Sequence, residues 1–438
     1  EVRYVATLCA RSLRLGGTSG ALSWITKYRE LQPADQIAQI QFIDLNSMKM
    51  ETADDRLNYY TRVAQAGSVP NPVRSHAAAQ AVRLLTDKGN DSVAAEMLQT
   101  ALRLNPSNLT ALQFADELAL RSGDRSRRFG TLLALLRANV AQPHVMTVIA
   151  DQLASVGLYD QAINLYTRAF TLSRDQGVAS DPNDFLDYAA VMVSAQQSAT
   201  AEQVLTSLLE SDPLNAPAHF LPGISARKSS NPAGMQAAIE GLRSALVARL
   251  AAISQALHTG TPPEPDAARA LPMPDLAADV AKLRAERSDL TPAYIDALAD
   301  LAWMQIYFDR RTIDEPIMTA LRNLTGDAGS LVARLEGWNF LVNTDPVAAR
   351  QKLSGIADGD ALAEMGMLLA RSRTGEDVRS DVRALLLRVP TGVIGAMVAD
   401  ELRPLAGEGQ FASELASDFR QQFESFPSSL FRMLERAE

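Results

Sequence analysis

Gly89, Gly123 and Gly157 stand at equal steps of 34 residues, each between two stretches whose apolar residues recur at three- and four-residue spacing. Glycine is the residue that leaves a helix through a left-handed turn, so the period reads helix, turn, helix. The steps continue inside each unit. Ala101 lies twelve residues after Gly89 and Ala169 twelve after Gly157, where a small side chain lets the second helix approach its neighbours. Pro106, seventeen after Gly89, stops that second helix. One such pair cannot bury enough apolar surface to offset about 1 to 2 kcal/mol of backbone ordering per residue, so pairs must stack on one another. Alternating β patterns occur nowhere in the 438 residues. The expected fold is all-α, a solenoid of stacked antiparallel helix pairs.

Residues 143–176 carry the fullest unit, with Gly157, Tyr159, Asp160, Ala162, Ile163, Tyr166, Ala169 and Leu172; residues 75–108 carry Gly89, Ala94, Leu98, Ala101, Leu104, Asn105 and Pro106. In these positions the chain resembles the tetratricopeptide repeat family. Unit 109–142 keeps Gly123 and Asp124 but has Arg128 where a small residue belongs, which predicts a spread or shifted helix pair. Unit 182–215 returns to register with Ala201, Leu205, Leu208 and Asp212-Pro213 after an insertion at 177–181, and unit 2–35 carries Cys9, Gly16, Ala21 and Pro33. The resemblance implies a right-handed superhelix, lined inside mainly by first helices, with partners on that face.

Beyond residue 216 the register fades. Pro222-Gly223 is expected to spoil a first helix, although helical spacing runs on to about His258. Residues 259–274 hold five prolines, which predicts an exposed loop or linker between an N-terminal array, 1–258, and a divergent helical-repeat region, 275–438. The last amphipathic stretch ends near Leu434. Helical pattern begins at once after Glu1, so a piece of a longer protein is expected.

Charge and composition restrict the chemistry. With 42 Lys and Arg against 51 Asp and Glu, the net charge of −9 opposes nucleic-acid binding. No apolar run reaches the roughly 18 residues of a membrane span. Cys9 is the single cysteine, which leaves no internal disulfide and no cysteine metal cluster. His76, His144, His219 and His258 are scattered and follow no metal-ligand spacing. Ser225 and Lys228 match the spelling SxxK without its companion motifs. Gly16 to Gly20 resembles a phosphate loop but lacks a following Lys, and reads as an inter-helix turn. Asp358-Gly359-Asp360 is more cheaply a helix cap than a metal-binding DxD. Asn108 and Asn323 begin glycosylation acceptor sequences, which matter only in a secreted eukaryotic chain, and the three tryptophans sit at core positions. No cofactor, metal or catalytic residue is expected.

Helical geometry aims the second, fifth, ninth and twelfth residues of each unit at the inner face. Candidate partner-binding residues are therefore Arg83, Gln113, Glu117, Thr147 and Asp151. Two acids there suit a neutral or basic protein or peptide segment better than a carboxylate. The bland alternative is a solvated face on which Arg83 pairs with Glu117. The expected function is non-enzymatic scaffolding; the competing reading is an auxiliary region of a protein whose catalytic or sensor domain lies outside this chain.

Overall fold

The computed structural model describes residues 17–228, 232–286, 289–326, 329–389, 392–406 and 413–426, together with residues 5 and 8. Cys9, Gly16 and the stretch toward Leu434 lie outside the described residues. Among the described residues the regular elements are 23 helices. In chain order they are α1 (Thr18–Leu31), α2 (Gln36–Ser47), α3 (Ala53–Gln65), α4 (Asn71–Asp87), α5 (Asp91–Leu104), α6 (Leu109–Ser122), α7 (Arg125–Ala138) and α8 (Pro143–Ser155). There follow α9 (Tyr159–Asp175), α10 (Pro182–Ser194), α11 (Ser198–Ser211), α12 (Ala216–Lys228), α13 (Pro232–Thr259), α14 (Pro265–Arg269), α15 (Leu276–Ala285) and α16 (Thr291–Tyr307). The last are α17 (Glu315–Thr325), α18 (Ser330–Val342), α19 (Pro346–Leu353), α20 (Ala361–Arg373), α21 (Arg379–Arg388), α22 (Val393–Ala406) and α23 (Ser413–Glu424). The chain divides into two compact units, one of Glu1–Val145 with Asp418–Glu438 and one of Met146–Ser417. Among the described residues no helix is long and apolar enough to cross a membrane.

The repeat turns form as the spacing requires. Gly89, Gly123 and Gly157 have φ of 73°, 70° and 83°. After each, the next backbone N–H reaches five residues back, from Asn90 to Leu85, Asp124 to Ala119 and Leu158 to Leu153, at 2.9 to 3.1 Å. Gln196 and Thr344 take the same left-handed position at φ of 63° and 62°, followed by the equivalent bonds from Gln197 to Met192 and from Asp345 to Phe340. A side chain there costs about 1 kcal/mol that glycine avoids, part of which returns as unfolded-chain entropy. Gln196→Gly is therefore expected to stabilise by about 0.5 kcal/mol, read as a higher Tm.

In the first unit α4 packs against α3 and α5, and α6 against α7. Val73, Ala77, Ala78, Leu98 and Ala101 are buried between them. Ser75, also buried, donates to the Ala101 carbonyl at 2.8 Å and receives the Asn108 amide at 2.8 Å, so one hydroxyl ties two helices to the cap of a third. Asn108 in turn caps α6 through the Ala111 N–H at 3.1 Å. Arg128 occupies the small-residue position, and Asp116 on α6 meets its guanidinium at 3.2 Å. From Asp418 onward, α23 packs on α7: Phe419 stacks on Phe129 with ring centres 4.1 Å apart, and Ser126 donates to Asp418 at 2.5 Å.

The second unit has one continuous core running from Leu186 to Ala406. Two sequence expectations change here. First, α12 continues through Pro222, and Gly223 is what the packing needs: a Cβ there would lie 2.8 Å from the Phe308 ring. Second, the proline-rich 259–274 does not divide the molecule, since the compact units part at Val145 and the core continues on both sides of it. Pro265 starts the short α14, as proline can at a first helical position, and fully buried Ala268 docks on Ala248 and Ala252 of α13. Much of the segment is nevertheless exposed.

Two polar clasps fix helices that share no repeat register. In the first unit His76 Nε2 sits 2.8 and 3.0 Å from the two Asp44 oxygens, and Tyr60 donates to Oδ1 at 3.1 Å. In the second, His258 Nε2 lies 2.8 Å from Asp279 Oδ1 and Tyr294 donates to Oδ2 at 2.8 Å. His219 meets the Pro213 carbonyl at 3.0 Å. These three imidazoles serve packing. Asp360 is a helix cap, accepting from the Leu362 and Ala363 N–H groups while pairing with Arg334 at 2.7 Å. Ser225 lies inside α12, its hydroxyl 2.6 Å from that of Ser198.

Candidate functional site

The first unit displays a strip of first-helix side chains. On α6, Ala111, Leu112, Ala115 and Ala119 turn into the core, which leaves Gln113, Glu117 and Leu120 outward, Leu120 at 56% exposure. Arg83 is exposed on α4, which packs beside α6. Glu117 pairs with Arg121 at 4.0 Å and not with Arg83; both members are more than half exposed, so the pair contributes little. This surface is polar at its centre, with an apolar residue at the C-terminal end of α6.

The second unit presents a different surface. Thr147 is only 2% exposed, because α8 buries Met146, Ile149, Ala150 and Leu153 as well and has little outward face. Asp151 is half-buried and accepts the Tyr166 hydroxyl of α9. Burial and then Asp151 push the Tyr166 phenol far above its usual range, which keeps it a donor. Asp187 on α10 completes this acidic group. Burial first, then the charges of Asp151, Asp184 and Asp181, raise its carboxyl to about 7. Gly392, at φ of 111°, lets backbone lie against it, for a Cβ there would come 2.6 Å from Asp187 Oδ1.

A carboxyl raised from 3.8 in the unfolded chain to about 7 in the folded one is the less stable for being ionised. Its contribution is favourable at low pH and is lost as pH rises from about 4 to about 7. Asp187→Asn is accordingly expected to raise Tm more at pH 8 than at pH 5, which melting curves of both proteins at the two pH values check.

The first-helix face of α10 and α12 is occupied by the chain itself. Helix α22 packs against both, and against α20 and α21, burying Met397, Val398 and Leu402. Arg227 of α12 holds Glu401 at 2.9 Å and Asp400 at 3.2 Å, Tyr307 donates to Asp400 at 2.8 Å, and Arg310 also donates to Glu401. The Trp303 indole N–H meets Met397 Sδ at 3.0 Å. Arg227, Asp400 and Glu401 are each about four-fifths or more buried, so the cluster is anchored by packing and by mutual satisfaction of its charges. Burial lowers the pKa of the neighbouring Lys228 ammonium, against the opposing charge of Asp400.

Sequence reasoning misses Asp187, Arg227, Arg310, Asp400 and Glu401. Asp187 is the sixth residue of its unit, one off the inner-face register, and α22 meets α10 across some 200 residues, a separation that no local pattern encodes. The i, i+3 pair Asp184 and Asp187 is the one local signal available.

No protein-family profile matches the chain, and no curated protein matches it. Among solved structures, the yeast Tom70 crystal structure is 12% identical, with 99% of this chain and 92% of that one covered at a TM-score of 0.29. The P58(IPK) TPR domain is 13% identical over 85% of this chain and 98% of its own, at 0.22. The Cut9–Hcn1 hetero-tetramer of the APC/C is 12% identical over 96% and 90%, at 0.30. The chain's own geometry is more direct: 34-residue helix pairs, left-handed glycine turns, and alanines with no exposed surface at the close approaches. Among the described residues the chain is an all-α array of helix pairs whose 34-residue units resemble tetratricopeptide repeats.

Proposed function

We propose that the chain is a non-enzymatic scaffold that binds a protein segment along the first-helix face of its first unit, centred on Gln113 and Glu117 with Arg83 beside them. The observation that carries this is the outward strip of α4 and α6, polar in the middle and ending on exposed Leu120, while α22 covers the corresponding face of α10 and α12. Asp151 is committed to Tyr166 and Thr147 is buried, so Glu117 is the acid that would favour a segment carrying Lys or Arg. Charge of this kind chiefly speeds encounter and sets specificity, and is screened by salt.

A photo-reactive residue placed at Gln113 of the full chain, in its own cells, tests the reading against one at Arg103 on the second helix α5. Crosslinking to one protein from position 113, weakened by Glu117→Lys and absent from position 103, supports it. Crosslinks from 103 alone would move the binding surface to the other face.

A further inference from the structure

A cleft of about 420 Å³ opens in the second unit between the Arg310 loop, the α18–α19 turn and the end of α20. Its volume is within the roughly 300 to 1,000 Å³ of small-molecule sites. Trp338, Leu341, Val342 and Pro346 give it apolar walls; Arg310 and Arg373 stand at its polar edge, and no carboxylate lines it. The indole N–H of Trp338 is already used by the Leu362 carbonyl at 3.0 Å and the residue is only 2% exposed, so the accessible apolar wall is chiefly Val342 and Pro346. Arg310 demonstrates what its guanidinium accepts, because it already binds the Glu401 carboxylate. Arg373 differs. It donates to the Leu341 carbonyl at 2.6 Å and has no carboxylate within ion-pair distance among the described residues, so its charge is held in place but not matched. Thr344 supplies the remaining polar group. Where the repeat turns use glycine, this turn keeps a hydroxyl-bearing, β-branched residue in the left-handed region, at the rim of the cleft.

We propose that this cleft binds a small amphipathic carboxylate, with its anionic group on Arg373 beside Arg310 and its apolar body against Val342 and Pro346. Guanidinium groups prefer carboxylates because planar, charge-assisted hydrogen bonds fit them, and apolar walls reject the fully hydrated anions that would otherwise compete. The proposal is independent of the scaffold reading, which concerns the other unit.

Octanoate is the probe, titrated calorimetrically into the full chain, with octanol and octylamine as partners of the same apolar length. Saturable binding of octanoate, and neither control, is expected. Arg373→Ala should weaken it about tenfold or more, the loss of one charge-assisted contact, with partial recovery in Arg373→Lys. Arg373 is exposed, so these variants are expected to fold. Thr344→Gly should raise Tm and weaken octanoate binding together, whereas Gln196→Gly should raise Tm and leave binding as it was. Absence of saturable octanoate binding, equal binding of octanol, or an unchanged affinity in Arg373→Ala would each overturn the proposal.

Discussion

Replacing Asp279 by alanine is expected to lower the stability of the second unit by about 3 kcal/mol or more, one of the largest effects a single side chain can have here. The carboxylate is 1% exposed and both its oxygens are engaged, one by His258 and one by the Tyr294 hydroxyl, each at 2.8 Å. Tyr294 is completely buried, and burial, followed by the hydrogen bond to Asp279, holds its phenol well above the ordinary range. It therefore remains a neutral donor that loses its acceptor in the variant. Asp279→Asn keeps an oxygen for the phenol and should fall between wild type and alanine. Denaturant unfolding of the three proteins checks the order; equal midpoints for alanine and wild type would show that the clasp contributes nothing.

Ala101→Trp and Ala169→Trp are expected to destabilise by about 3 kcal/mol each, at the upper end for overpacking, because neither alanine has any exposed surface. Ala101 lies in the first unit and Ala169 in the second, so the two variants should destabilise different parts of the chain. Arg103→Trp, two residues along α5 at an exposed position, is the matched control and should melt near wild type. If Ala101→Trp and Arg103→Trp melted alike, the small residue would not mark a close helix approach.

Local signals carried the repeat region well. A glycine at a fixed interval specifies a left-handed turn directly, and an alanine at a fixed offset specifies a close approach, so both survive without knowledge of the rest of the chain. Arg128 shows where such rules stop. Its size predicts a spread pair, but its partner Asp116, one helix away, is unremarkable until the two helices are set together. Pro222 fails as a helix breaker because loss of one N–H is small beside the core that α12 buries. The prolines of 259–274 likewise discourage helix but permit its first turn, which is all that α14 needs. The candidate site divides on similar lines. Arg83, Gln113 and Glu117 are outward because α4 and α6 are amphipathic, whereas Thr147 sits on a helix buried on most sides, where register cannot select an open face. The seat of α22 was illegible, being set by Arg227, Tyr307 and Arg310 meeting Asp400 and Glu401 from distant parts of the sequence.

The proposed recognition by α4 and α6 rests on first-helix faces that are open in the first unit and filled by α22 in the second. Hydrogen exchange followed by mass spectrometry on the intact chain tests that division most directly. Amides of Val393–Ala406 should exchange as slowly as those of α10 and α12, since α22 is packed into the same core. Exchange of α22 at the rate of the exposed loop residues around Thr261, with α10 and α12 still protected, would show that the face is vacant and contradict it.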